Sequence, residues 1–278
     1  MKEMKAISII AALLLPMAAM AQTPEEFKAT YDRQVQVAGT GGLGVRPILE
    51  AWSAAYPTDT TMLEATFSYY LTKGRTLSVE VHDSRRYLGN EPTLSLKDST
   101  GKAVNYFQVP VYDEEAFARS QSCIRQAIVL APDNIGYRFD EIASLIDYEK
   151  ESPDMAATAI LELIDYNYSK RPSWWLTDRF LAPEEFDQAI MEYCSTLYNL
   201  GTPVGYESFK TISERMLREN PDDVGFIDNV GAYWQAYRKD YKKAAKFYKK
   251  ALKIDPDDYP AKANLKLIDR IKSKPKKK

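Results

Sequence analysis

The chain has 278 residues, 45% hydrophobic and 27% charged, which fits a folded globular or repeat protein and excludes a disordered one. Its 37 basic and 39 acidic residues give a net charge of −2, but the cationic excess sits at the termini, and residues 22–269 alone sum to −9. An acidic body excludes nucleic acid as the main partner, because phosphate binding needs clustered cations on the folded surface.

Residues 1–21 read as a secretory signal peptide. Lys2 and Lys5 give a positive start, Ile7 to Leu15 an apolar run, and Ala19-Met20-Ala21 a small-x-small site predicting cleavage between Ala21 and Gln22. The run is short for a bilayer, and no other stretch approaches the roughly 20 residues of a transmembrane helix. No cysteine follows the predicted cleavage site, which argues against a lipid anchor. The expectation is a periplasmic or secreted protein from a bacterium with a two-membrane envelope.

Pro24 to Ala38 reads as a helix with acids in its first turn and a glycine past its end. A loop over Gly39 to Gly44 follows. Pro47 opens a second helix that Pro57 closes, and Asp59 to Thr72 is a third. The period then changes from helical to alternating, with Leu77, Val79 and Val81 on one face, then Leu94 and Leu96. After a turn at Asp98 to Lys102, Val104 and Tyr106 form the return. Residues 75–112 thus read as an inserted β-hairpin that splits a helical hairpin, whose second helix resumes over 113–131. Further helices are expected over 134–149, 153–167, 183–200, 205–219, 222–238, 241–254 and 257–271. Residues 170–182 break the period and read as a connector helix or a local embellishment. The basic tail, 270–278, reads as a solvated end.

One spacing recurs along the helices. Tyr241, Ala244, Tyr248, Ala251 and Pro256 fall at intervals of 3, 4, 3 and 5, as do Phe117, Ser120, Ile124, Ala127 and Pro132. A third copy runs Tyr206, Phe209, Ser213, Met216 and Pro221. Intervals of 3 and 4 place large and small residues on one helix face, and the proline ends the helix. Repetition at this scale predicts stacked helical hairpins.

Over residues 221–256 the pattern resembles a tetratricopeptide repeat (TPR). Val230-Gly231 stands in the first-helix pair, Tyr241, Ala244, Tyr248 and Ala251 run along the second helix, and Pro256 closes it. Ile142-Ala143 and Tyr193-Cys194 occupy the equivalent pair elsewhere. One residue is extra between Gly231 and Tyr241. The resemblance implies an all-α, right-handed solenoid of about five hairpins. First helices would line a concave groove for peptide or protein segments. The carboxylate-clamp pattern of the family is not matched, since only Asn229 lies near a clamp position, beside Asp228. Residues one turn from Ala143, Cys194 and Gly231 are expected to face the groove: Tyr137, Asp140, Ser144, Gln188, Met191, Ser195, Asp228 and Gln235. With its acids, that groove should prefer a basic or neutral partner.

Other motifs yield little chemistry. Gly39 to Gly44 contains GxGxxG, but a dinucleotide site needs a strand before it, and here a helix precedes. His82 is the only histidine, so no triad or histidine metal cluster can be assembled around a second imidazole. Asp113, Glu114 and Glu115 read as first-turn charges of a helix. Cys123 and Cys194, in different repeats, read as free thiols. No catalytic residue, metal set or cofactor is nominated, and the chain is not expected to be an enzyme. Trp174 and Trp175 could form an aromatic platform for a protein or a glycan. The functional expectation is a non-catalytic interaction scaffold of the cell envelope, with a glycan-binding module as the alternative.

Overall fold

The computed structural model describes residues 22–273. The expected signal peptide and the last residues of the lysine tail lie outside the described residues. Eleven helices run in chain order among them: α1 (Pro24–Ala38), α2 (Val45–Ala55), α3 (Thr60–Gly74), α4 (Glu114–Leu130), α5 (Ile135–Tyr148), α6 (Asp154–Lys170), α7 (Pro183–Leu200), α8 (Pro203–Glu219), α9 (Val224–Ala236), α10 (Tyr241–Ile254) and α11 (Tyr259–Ser273). Strands β1 (Arg75–His82), β2 (Leu94–Lys97) and β3 (Ala103–Tyr112) lie between α3 and α4, and β4 (Trp175–Leu176) and β5 (Arg179–Phe180) between α6 and α7.

Helix starts are set by side chains that accept from N–H groups unpaired in the first turn. Thr23 and Glu26 form a reciprocal capping box on α1, while Asp59, Asp113, Asn134, Thr202, Asp223 and Asp240 cap α3, α4, α5, α8, α9 and α10. Consecutive helices pack in pairs, α1 on α2, α3 on α4, α5 on α6, α7 on α8 and α9 on α10, and α11 closes on α10. Neighbouring pairs join through α2 on α3, α4 on α5, α6 on α8 and α8 on α9.

The recurring spacing marks the packed faces. Phe117, Ser120, Ile124 and Ala127 on α4, Phe209, Ser213 and Met216 on α8, and Ala244, Tyr248 and Ala251 on α10 are all buried. Gly231 shows why a small residue is needed, since a Cβ there would stand 2.7 Å from the Tyr248 ring. Gly74 plays the same part between α3 and α4, where a Cβ would lie 2.6 Å from that of Ala116.

Two sequence expectations need correction. The insertion is a three-stranded antiparallel sheet in the order β1-β3-β2, not a hairpin alone. The expected turn over Asp98 to Lys102 does join β2 to β3, with Asp98 Oδ1 accepting from the Thr100 and Lys102 N–H groups. But β3 is ten residues long and pairs along its other edge with all of β1, from Arg75↔Tyr112 to His82↔Asn105. Of the two readings of residues 170–182, the local embellishment is the one present, as the short β4–β5 ribbon. Ala143, expected as a small packing residue, is exposed, and its neighbour Ser144 is buried instead, so α5 sits one position out of the repeat register.

The close approach at Gly231 gives a stability prediction. Tyr248 is fully buried and its ring has no room to swing away. Gly231→Ala should therefore destabilise the protein by about 1–3 kcal/mol, the usual cost of overpacking a filled core. Urea unfolding followed by circular dichroism measures this, and an unchanged midpoint would refute the packing argument.

Candidate functional site

The residues expected to line a groove do not form one surface. Tyr137 and Ser144 are core residues: Ser144 accepts from Gln121 Nε2 at 2.9 Å and donates to the Glu141 carbonyl at 2.8 Å. The face of α5 that carries them packs inward, which corrects their assignment as groove-lining. Met191 touches α9, where the Asn229 amide lies 3.2 Å from its sulfur. Gln235 donates to Asn264 on α11 at 3.1 Å. Gln188 and Ser195 are exposed on α7.

Asp140 is half-buried on α5, and burial raises its carboxyl above the usual range. Glu64 of α3 is raised too, by burial and then by the nearby Asp140 charge, while Tyr193 of α7 is pushed up by burial and by the same aspartate. Three helices thus bring acidic and phenolic groups together around Asp140.

Asp228 is buried rather than groove-facing. Burial, and then the adjacent Asp258 at the start of α11, push its carboxyl up to about 7. One Asp228 oxygen and the Tyr248 hydroxyl have no hydrogen-bond partner among the described residues.

The two tryptophans point to different places. Trp174 is only 4% exposed, donates to Asn167 Oδ1 at 2.8 Å and stacks on Phe186 at 6.4 Å, so it is structural. It backs a cavity of about 700 Å³ that Tyr168, Arg171 and Phe180 also line. Trp175 is 37% exposed and meets the 64%-exposed Phe180 edge-on at 4.8 Å. The pair is therefore not a joint platform, and only Trp175 and Phe180 meet solvent. His82 is half-buried, stacked on Tyr87 at 3.7 Å with Nε2 3.0 Å from Glu80. Cys123 and Cys194 are free thiols, and burial pushes Cys194 up to about 12. The GxGxxG stretch is a loop between α1 and α2, with no strand before it among the described residues.

One face of the inserted sheet is left uncovered. The β1–β3 register puts Leu77, Val79 and Val81 beside Pro110, Gln108 and Tyr106, and the β2–β3 register adds Leu94 and Leu96 to the same face. Those five leucines and valines are about half exposed, with Val79 at 59%. The other face carries buried Asn105, Phe107 and Val109, with Tyr87 packed on Phe107 and donating to Glu151 at 2.9 Å. Strand β1 thereby reverses the usual arrangement: Thr76, Ser78 and Glu80 share the body-side face, and the aliphatic residues point to solvent. Alternation places these residues in one row but does not give its direction, which the pairing to β3 and the anchoring of the sheet to α5 decide.

The root of the sheet is anchored. Tyr112 donates to Asp147 at 2.5 Å and Arg75 pairs with the same oxygen at 3.1 Å, tying β3 and β1 to α5. Burial opposes ionisation of Asp147, but Lys150, Tyr112 and Arg75 together hold its carboxyl below the usual range.

The Asp228 position predicts a pH signature. Below about pH 4 the carboxyl is neutral in both folded and unfolded chains. As pH rises towards 7 the unfolded chain loses this proton while the folded one keeps it, so stability falls across that window and levels off above it. Asp228→Asn should remove this contribution and stabilise the protein by roughly 1–2 kcal/mol at pH 8 with little change at pH 4. Urea midpoints of both proteins across that range are the measurement, and parallel curves would refute it.

No protein-family model matches the chain, and no curated protein matches it in sequence. Among solved structures, a MamA chain running from residue 41 to its end, from Desulfovibrio magneticus RS-1, is similar at 11% identity and a TM-score of 0.35. The match covers 84% of this chain and 96% of that one.

Proposed function

We propose that the protein is an exported, non-catalytic docking scaffold of the bacterial envelope, built on TPR-like hairpins, that holds a protein partner against the apolar face of its inserted sheet. The observation that carries this reading is the reversed alternation of β1. Five half-exposed aliphatic side chains on one face offer on the order of 400 Å² of apolar surface, the size at which such patches mark interaction sites. The centre of the face, from Leu77 to Leu96 across Tyr106 and Gln108, bears no charge, so its partner should be an apolar protein surface rather than an ionic one. In this reading the helical pairs form a right-handed superhelix, and its first helices, with Asp140 and Glu64, make a concave face that disfavours acidic ligands. No described helix is long and apolar enough to cross a membrane.

A second reading, a glycan-binding module, rests on exposed Trp175 and Phe180, since an aromatic face can stack on a sugar ring.

The scaffold reading predicts that wild-type protein immobilised in an envelope extract retains one stoichiometric protein. Val79→Glu combined with Leu96→Glu should lose it at least about tenfold, with no fall in thermal midpoint, because exposed substitutions usually change stability by under about 0.5 kcal/mol. Equal retention by the variant contradicts the sheet-face site. Retention on polysaccharide that Trp175→Ala abolishes, with no protein retained, favours the glycan module. Export makes a separate prediction: N-terminal sequencing of the exported protein should begin at Gln22, and an intact Met1 would overturn it.

A further inference from the structure

The two outer edges of the inserted sheet are built differently. Strand β2 is four residues long, ends in exposed Lys97 and closely follows Pro92, which are devices that keep a sheet edge from accepting another strand. Strand β1 has none of them. It runs for eight residues without proline, lysine or a break in its register with β3, and no other described strand lies beside it. Arg75 to Val79 and Val81 are all exposed.

The ladder decides which backbone groups are left over. The Gly74 carbonyl accepts from the Asp113 N–H, and on the other side of β3 the Tyr106 carbonyl accepts from Thr93. Hydrogen-bonded pairs alternate with non-bonded ones in an antiparallel ladder, so Thr76, Ser78, Glu80 and His82 bond to β3. Leu77, Val79 and Val81 therefore turn their N–H and C=O groups outward. The free edge offers donors and acceptors along the same residues that form the apolar row.

The sequence of β1 is also complementary to itself. Set antiparallel about a twofold axis at Val79, Leu77 falls opposite Val81 of the second copy, Ser78 opposite its Glu80 and Thr76 opposite its His82, while the two Val79 residues face each other. No like charges meet, which would destabilise a cross-strand pair. Centring on Glu80 instead sets two glutamates together, and centring on Ser78 puts Val81 against Arg75. Arg75 and Glu80 balance, so the strand brings no net charge to oppose pairing.

We propose that β1 pairs with β1 of a second copy, antiparallel about Val79, and joins the two sheets into one of six strands. About six backbone hydrogen bonds close the junction. The contact is isologous and ends at two chains. It also sets the two apolar faces side by side as one continuous surface. A strand pair of this length is a small interface, under the roughly 1,200 Å² of stable complexes, so association should depend on concentration. The pairing uses the edge and leaves the face open, so it stands or fails apart from the partner held there.

Sedimentation of residues 22–278, which hold every described element, over about 2 to 500 μM should show a monomer–dimer equilibrium. Val79→Pro should abolish it with circular dichroism and thermal midpoint kept, because the Val79 N–H lies outside the β1–β3 ladder. The exposed Ser78 position tests the same register without a proline. Ser78→Lys should tighten the dimer at least about threefold, since each lysine meets Glu80 of the other copy, and Ser78→Glu should weaken it by a similar factor. Leu96→Glu, on β2, should leave the dimer intact while impairing a partner held on the face, which separates the two sites. A chain that stays monomeric throughout overturns the proposal. Equal association of the two Ser78 variants overturns it by contradicting the register. Loss of the dimer in Leu96→Glu but not in Val79→Pro overturns it too, since that assigns self-association to the apolar face.

Discussion

The closure of α3 on α4 is the constraint on which the rest of the structure depends. The two helices are separated by the whole inserted sheet, yet they pack as a pair, with Gly74 against Ala116 and the Asp113 N–H donating to the Gly74 carbonyl at 2.8 Å. The β1–β3 ladder begins at the next residues, Arg75↔Tyr112, so helix pair and sheet share one junction. Closing a loop of this length costs only modestly more entropy than a short one, and the paired strands offset part of that cost. Because the junction is also tied to α5 through Asp147, the sheet stands at a fixed angle to the helical frame.

That fixed angle decides which face of the sheet is covered. The side towards α5 receives Phe107, Val109 and the Tyr87 loop, and the side away keeps its leucines and valines in water. A soluble sheet ordinarily turns its aliphatic row inward. Here the inward row of β1 is polar, so the arrangement follows from strand pairing and not from local hydrophobicity. Conflicts between local pattern and tertiary placement concentrate at functional sites. Asp228 beside Asp258 is a further conflict, internal to the C-terminal helices.

Much of the frame was legible because helix packing repeats a short rule. Intervals of 3 and 4 in α4, α8 and α10 identified residues that are buried, and Pro24, Asp59, Asp113 and Asn134 marked helix starts within one or two positions. The insertion was legible as alternating sequence, but alternation cannot say which of two faces is covered, nor that β3 serves two neighbours. The α5 register failed for a related reason: Ala143 and Ser144 are both small, and only the contact with Gln121 on α4 chooses Ser144. Trp174 and Trp175 are adjacent in sequence, but only Trp175 belongs to β4, and Trp174 just before it enters the core while Trp175 meets solvent.

Hydrogen exchange read by mass spectrometry on residues 22–278 tests the shared junction most directly. Amides of α3, of α4 and of the paired ends Arg75–Thr76 and Val111–Tyr112 should open as one cooperative unit with a common free energy, although some 40 residues of chain lie between the helices. If α3 instead exchanges with α2 and α4 with α5 at distinct rates, while the strands open freely, then the junction does not organise the fold and the orientation of the apolar face has no structural basis.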